Sequence, residues 1–195
     1  MRCVVATANP DKAAEIVAIM GHAIDLELVE RPRTIADVEE TGETLLDNAR
    51  LKARALFAAT GDLTIADDTG LLVDALHGAP GVRSARFAGE HASYQDNVER
   101  LLEALTGATN RFARFETVAI AILPTGQELV ATGTVLGVIT ERQRGDDGFG
   151  YDPIFEPLES KGRTFAEMTS HEKSEISHRG RAFRHLAALI GEAVF

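Results

Sequence analysis

The chain has 195 residues, 45% hydrophobic and 26% charged, with 20 Lys and Arg against 30 Asp and Glu for a formal net charge of −10. Such a length suits one domain, or two lobes sharing a core, and so acidic a chain repels nucleic-acid backbones. No apolar run approaches the roughly 20 residues of a membrane span, and Asn-Pro-Asp interrupts the N-terminal MRCVVATANPDK too early for a signal peptide. A cytoplasmic enzyme or binding protein, organised as a single domain over 1–195, is the expectation.

Arg2 to Ala6 reads as a short buried strand containing the one cysteine, Cys3, a small apolar residue there. Asn9-Pro10 then opens a helix that the pattern carries to about Met20, with Gly21 as its stop. Alternation over Ile24 to Val29 predicts a strand, and the polar stretch 31–42 a loop. A second helix is expected over Thr44 to Thr60, closed by Gly61, and a brief strand over Leu63 to Ala66. A long loop over His77 to Glu90 precedes a helix over Ser93 to Leu105. Thr117 to Leu123 and Leu129 to Ile139 read as strands joined by a hairpin at Pro124-Thr125-Gly126. A glycine-rich loop over Arg142 to Tyr151 and a closing amphipathic helix over Ser177 to Ile190 complete an α/β pattern with a mixed sheet.

Five segments carry candidate chemistry. Thr7, Ala8, Asn9, Pro10, Asp11 and Lys12 join a strand to a helix N-terminus, where open backbone N–H groups and a lysine suit an anion, although such junctions are also common structural turns. No GxxxxGK[ST] phosphate loop occurs. Asp67 and Asp68 end an apolar run; adjacent strand residues point to opposite faces, so only one of them should reach a given site, as a hard ligand suited to Mg2+. Glu39 and Glu40 lie in the acidic loop, and Asn48 and Lys52 share one helical face, which either looks into a cleft or, in the plainer reading, is exposed to solvent. In Gly148-Phe149-Gly150-Tyr151-Asp152, two glycines bracket an aromatic ring that either stacks on a base or packs on the core. Lys173, Ser177, His178 and Arg179 surround a further helix start with positive charge. No HxxxH or CxxC spacing supports zinc.

TANPDK, EETGETLLDNARLKA, IADDTGLLVDAL, GAPGVRSARFAG, GFGYDPIF and EKSEISHRGRA occur in this order along essentially the entire chain. In that order and spacing they resemble the inosine/xanthosine triphosphate pyrophosphatases. Ala8 stands where that family commonly has Gly or His, and Asp47 where it commonly has Glu. The resemblance implies hydrolysis of a non-standard purine nucleoside triphosphate (ITP, dITP or XTP) to the monophosphate and pyrophosphate, with magnesium as cofactor. It implies an elongated mixed β-sheet with flanking helices, forming two lobes around a nucleotide cleft, and a homodimer. By motif it casts Asp68 as general base and metal ligand, with Glu39 or Glu40 as a further ligand and Asp67 in support. Thr7 to Lys12 and Lys173 fall to the phosphates. Thr69, Phe149, Gly150, Tyr151, Asp152, His178 and Arg179 fall to the nucleoside. The competing expectations are a pyrophosphatase acting on other modified or pyrimidine nucleotides, and a nucleotide-binding regulator without catalysis.

Overall fold

Four residues of continuous apolar character, Cys3 to Ala6, are buried on both sides, which is what the central strand of an α/β sheet requires. In the computed structural model, which describes residues 1–32 and 35–194, strand β1 spans Arg2–Val5. Helix α1 follows at Pro10–Ala23, then strand β2 at Glu27–Glu30, helix α2 at Leu45–Thr60 and strand β3 at Leu63–Val73. The short strand β4 is Pro80–Gly81; helix α3, Tyr94–Ala104, leads to the paired strands β5, Phe112–Ile122, and β6, Glu128–Ile139. Strand β7, Phe155–Pro157, and helices α4, Ser170–Ile176, and α5, His178–Val194, complete the described chain. The strands form one mixed sheet in the order β2-β1-β3-β5-β6-β7, with β4 on β3; β1 lies parallel to both β2 and β3, whereas β4 and β7 pair antiparallel. The expected mixed α/β class is therefore observed.

The chain divides into two compact units. The first comprises residues 1–68 and 117–133 and the described residues from His178 on. Its strands alternate strictly between two cores. Cys3, Val5, Leu63, Ile65, Ala119 and Ala121 pack with α1 and α5. Their neighbours Val4, Ala6, Ala66, Ile120 and Ile122 pack with Ala49, Ala53 and Leu56 of α2. The second unit, 69–116 and 134–177, has its own core, in which Phe115, Phe155 and Phe165 form an aromatic cluster with ring centroids 4.7–6.3 Å apart.

Several elements depart from the expected bounds. Helix α1 runs through Gly21 and stops only at Ile24, because Gly21 keeps helical backbone and the buried Met20 holds that turn to the core. Strand β2 begins three residues later than the alternation suggested, and β5 begins at Phe112. The largest difference is β3, which extends through Asp67-Asp68-Thr69-Gly70 to Val73 rather than ending at Ala66. Cations on both sides of the strand make that extension affordable. The stretch 77–90 holds β4 and a short helical turn, with Ala79–Pro80 in the cis form. Helix α4 was not expected at all, though Thr169 and Glu172 form a full capping box at its start.

Burial pushes the Cys3 thiol up to about 12, with Asp62 adding to the effect. Because the folded value lies above the unfolded one, this group's contribution to stability is complete below the unfolded value and fades as pH rises through the folded one. A thiol reagent at pH 8 is expected to leave the native protein unmodified and to label Cys3 only after denaturant unfolding. Equal labelling rates in the two states would contradict the buried β1.

Candidate active site

The first unit concentrates its buried charge midway along β3. Asp67 and Asp68 are both almost fully buried, and the two-residue period of the strand sends them to opposite faces. Asp67 continues the Leu63, Ile65 face, toward α1 and α5. There Lys12 Nζ lies 3.6 Å from its carboxylate and Arg179 Nε 3.7 Å, while Arg179 Nη1 donates to Glu15 Oε2 at 2.5 Å. Asp68 continues the Ala66 face, toward α2. Asn48 Nδ2 donates to its Oδ2 at 3.2 Å, and Lys52 Nζ stands 3.7 Å from its Oδ1 and 2.7 Å from Glu40 Oε1.

Four carboxylates (Glu15, Glu40, Asp67, Asp68) thus face three cations (Lys12, Lys52, Arg179), and the Asp68 side carries the excess negative charge. Burial pushes the Asp68 carboxyl above its ordinary range, against the pull of Lys52 and Lys12. Burial would likewise pull the Lys52 ammonium down, but Asp68, Asp67 and Glu40 outweigh it and hold the group above its usual value. Lys52 therefore stays charged. Glu39, by contrast, is exposed, with its carbonyl accepting from Thr41 N, so the two members of the Glu39/Glu40 pair differ sharply: Glu40 joins Asp68.

At the start of α1 the expectation of open N–H groups is corrected. Asn9 Oδ1 accepts from Asp11 N at 2.9 Å and Lys12 N at 3.2 Å, and Thr7 Oγ1 accepts from Asn9 N. An N-cap asparagine competes for the same donors that an anion would use. Ala8, Pro10 and Asp11 are exposed, leaving Lys12 as the charge this segment brings inward. Asp47, the departure from the family pattern, accepts from Thr44 Oγ1 and serves the start of α2.

His178 and Arg179 open α5, both buried. What lets them sit there is Gly133 of β6: a Cβ on it would meet the His178 carbonyl oxygen and the Ala182 amide nitrogen.

The second unit holds the other predicted residues. Asp152 is buried and accepts from Lys173 Nζ at 2.5 Å and from Phe149 N at 2.9 Å through the same Oδ2. Gly148, at φ 77°, lies so close that a Cβ would strike that carboxylate. The half-buried Phe149 ring has Lys173 Nζ 4.7 Å from its centroid and Tyr94 at 5.8 Å. The two readings of this loop divide between its aromatics. Phe149 is partly presented, whereas Tyr151 is core, its hydroxyl donating to Ser84 O at 2.8 Å. Thr69 is half-buried in β3, and Gly150 takes a left-handed φ of 62°.

Three residues in these networks were given no specific role by the sequence. Lys52 and Asn48 were visible only as a polar helix face, although their four-residue spacing did place them together. Glu15, three residues after Lys12 on α1, was not singled out.

With this geometry, comparison with known proteins is decisive. The model of the Ham1 family matches residues 3–189. The chain belongs to the Ham1 family. A dITP/XTP pyrophosphatase of Streptomyces coelicolor is 45% identical over 98% of both chains, and one of Elusimicrobium minutum is 44% identical over 97% of this chain and all of its own. Among solved structures, the Staphylococcus aureus Ham1 protein superposes with a TM-score of 0.87 at 38% identity, covering 99% of this chain and 100% of that one. The Coxiella burnetii HAM1 protein gives 0.88 at 37% identity, with 98% and 99% covered. The Ham1 fold is thus the mixed sheet with flanking helices described above.

Among the described residues no helix of this Ham1 chain is long and apolar enough to cross a membrane, and no three His, Cys, Asp or Glu side chains group into a metal cage.

Proposed function

We propose that this Ham1 protein hydrolyses dITP, ITP and XTP to the monophosphate and pyrophosphate, acting as a single catalytic domain in the cytoplasm. The observation that carries this reading is the convergence of Glu40 and Asp68 on one half-buried lysine beside the middle of β3. A mere nucleotide binder has little need to bury so much negative charge, which costs several kcal/mol per unpaired ion.

The donor set fits Mg2+. It consists of hard carboxylate oxygens, in excess over the neighbouring cation, as suits an ion that completes its shell with water and phosphate. Asp68 and Glu40 would hold it, and when bound it would neutralise charge on the triphosphate and on the departing pyrophosphate. Asp68 is assigned to orient and deprotonate the water that attacks the α-phosphorus. Lys12 and Lys52 supply cations against the phosphate oxygens, and Asp67, braced by Arg179, holds Lys12 toward them. In the second unit, Phe149 offers a ring for a purine to stack on, steadied by Lys173 and Asp152. Hypoxanthine and xanthine present an acceptor at position 6, where adenine presents a donor. A site built to donate there disfavours adenine, because paired buried donors would be left unmet.

Pyrophosphate release should be measured from dITP, ITP, XTP, ATP, GTP and dTTP, with magnesium and with EDTA. Strong magnesium-dependent release from the first three is expected, and light scattering on the same preparation should read the proposed homodimer at twice the 21.0 kDa chain mass. Release mainly from dTTP would replace this substrate class. Orthophosphate in place of pyrophosphate would move the cleaved bond, and no turnover at all would leave a regulator.

A further inference from the structure

We propose that Asn48 is a positioning residue for this hydrolysis: its carboxamide holds the Asp68 carboxylate and the Glu40 loop in one arrangement. The inference rests on the reading of Asp68 and Glu40 given above, and the observations behind it are independent of that reading. Asn48 lies on α2 with a relative exposure of 0%, where a carboxamide left unmatched would be costly. It is matched at both ends. Its Oδ1 accepts from Gly42 N at 2.7 Å, and its Nδ2 donates to Asp68 Oδ2 at 3.2 Å.

The direction of the amide is fixed by chemistry. A backbone N–H can only donate, so the atom facing Gly42 must be the oxygen, and the NH2 group must then face Asp68. A carboxylate is the acceptor that NH2 group requires. The same side chain thereby orients one carboxylate directly and the other through the main chain. Gly42 is two residues beyond Glu40, and the Glu40 carboxylate reaches Lys52, one helical turn along from Asn48.

The fit at Gly42 leaves no slack. A Cβ there would lie 2.6 Å from Asn48 Oδ1, 2.6 Å from Asp47 Cβ and 2.9 Å from Asn48 N. Only a glycine brings this loop close enough for its amide to reach the buried side chain. Asn48 and Gly42 therefore form a clamp that keeps Glu40 and Asp68 on the same lysine, and hence at the separation one cation can share.

The test compares wild type with Asn48→Ala and Gly42→Ala. Mn2+ titration by electron paramagnetic resonance, in the presence of a non-hydrolysable α,β-imido dITP, reads the carboxylate pair directly. Groups that orient metal ligands typically govern affinity by about 10–100-fold, and a loss of that size is expected in both variants. Turnover of dITP should fall alongside it and recover partly as Mg2+ is raised, with KM for the nucleotide at saturating metal little changed. Wild-type Mn2+ affinity in a folded Asn48→Ala protein would overturn the proposal. Should that variant fail to fold, Gly42→Ala, which keeps Asn48 and displaces only the loop, decides: unchanged Mn2+ affinity there overturns the clamp. If wild type releases no pyrophosphate from dITP, the functional reading falls, while the Mn2+ comparison still judges the clamp.

Discussion

Replacing Asp68 by Asn is expected to lower kcat by about 10³-fold, within the range of general-base contributions, while nucleotide binding largely survives. The substitution keeps shape and removes charge. An asparagine carbonyl at position 68 still accepts from Asn48 Nδ2, so the buried contact that orients the side chain persists. Burial disfavours the charge of Asp68 in the first place, so the neutral amide should be tolerated by the fold. What is lost is a proton acceptor and one of the two carboxylates facing Lys52. Steady-state kinetics with dITP, together with equilibrium binding of α,β-imido dITP, separates the two effects. Turnover within a few-fold of wild type would remove Asp68 from its assigned role, and loss of binding in step with turnover would make it a binding residue.

The second large effect is expected at Gly133, and it arises from packing alone. An alanine there would drive its Cβ into the His178 carbonyl oxygen, to 2.5 Å from Ala182 N and to 3.0 Å from Arg181 Cβ. Two of these are backbone atoms, so no change of rotamer relieves the clash. The start of α5 must move away from β6, taking with it Phe183 and Leu186, which are fully buried in the core shared with α1. Overpacking of this kind costs about 1–3 kcal/mol, which for a chain of this size lowers Tm by something on the order of 5 °C. Because His178 and Arg179 ride on the same turn, Gly133→Ala should lose activity even below its melting point. Gly21→Ala is the control: nothing lies within 4 Å of a Cβ there, and in a helix interior alanine should gain about 0.5–1 kcal/mol. Calorimetry on the two variants checks the contrast, and an unshifted Tm in Gly133→Ala would rule out the close approach.

Local chemistry was legible in the sequence, and long-range chemistry was not. Helix α2 begins and ends where its sequence says, because Thr44 caps it and Gly61 takes a left-handed φ of 70°. Gly21 misled for a complementary reason: a glycine ends a helix only when the chain needs that left-handed turn, and α1 does not use one there. Strand β3 was cut short because two adjacent aspartates look like the end of a buried strand. They remain inside one because Arg179 and Lys12 meet Asp67 and Lys52 meets Asp68, and no local pattern announces those partners. The opposite orientations expected of Asp67 and Asp68 do hold within β3. For Asn48, polarity on a helix face read as solvation, since its partners Gly42 and Asp68 are joined to it only by the fold. Helix α4 could have been read from Thr169 and Glu172, which carry the capping-box spacing in plain view.

The alternation along β3 also restricts how this chain can vary in length. Losing or gaining one residue between Leu63 and Asp68 would exchange the sides on which Leu63, Ile65 and Ala66 sit relative to the two aspartates. Either an aspartate would then face a wall of aliphatic carbon, or a leucine would face a lysine. Counting is thus enforced twice, once by volume and once by charge, and the strand behaves as a ruler whose divisions cannot be redrawn. Drift in length has to be absorbed elsewhere, outside the strand.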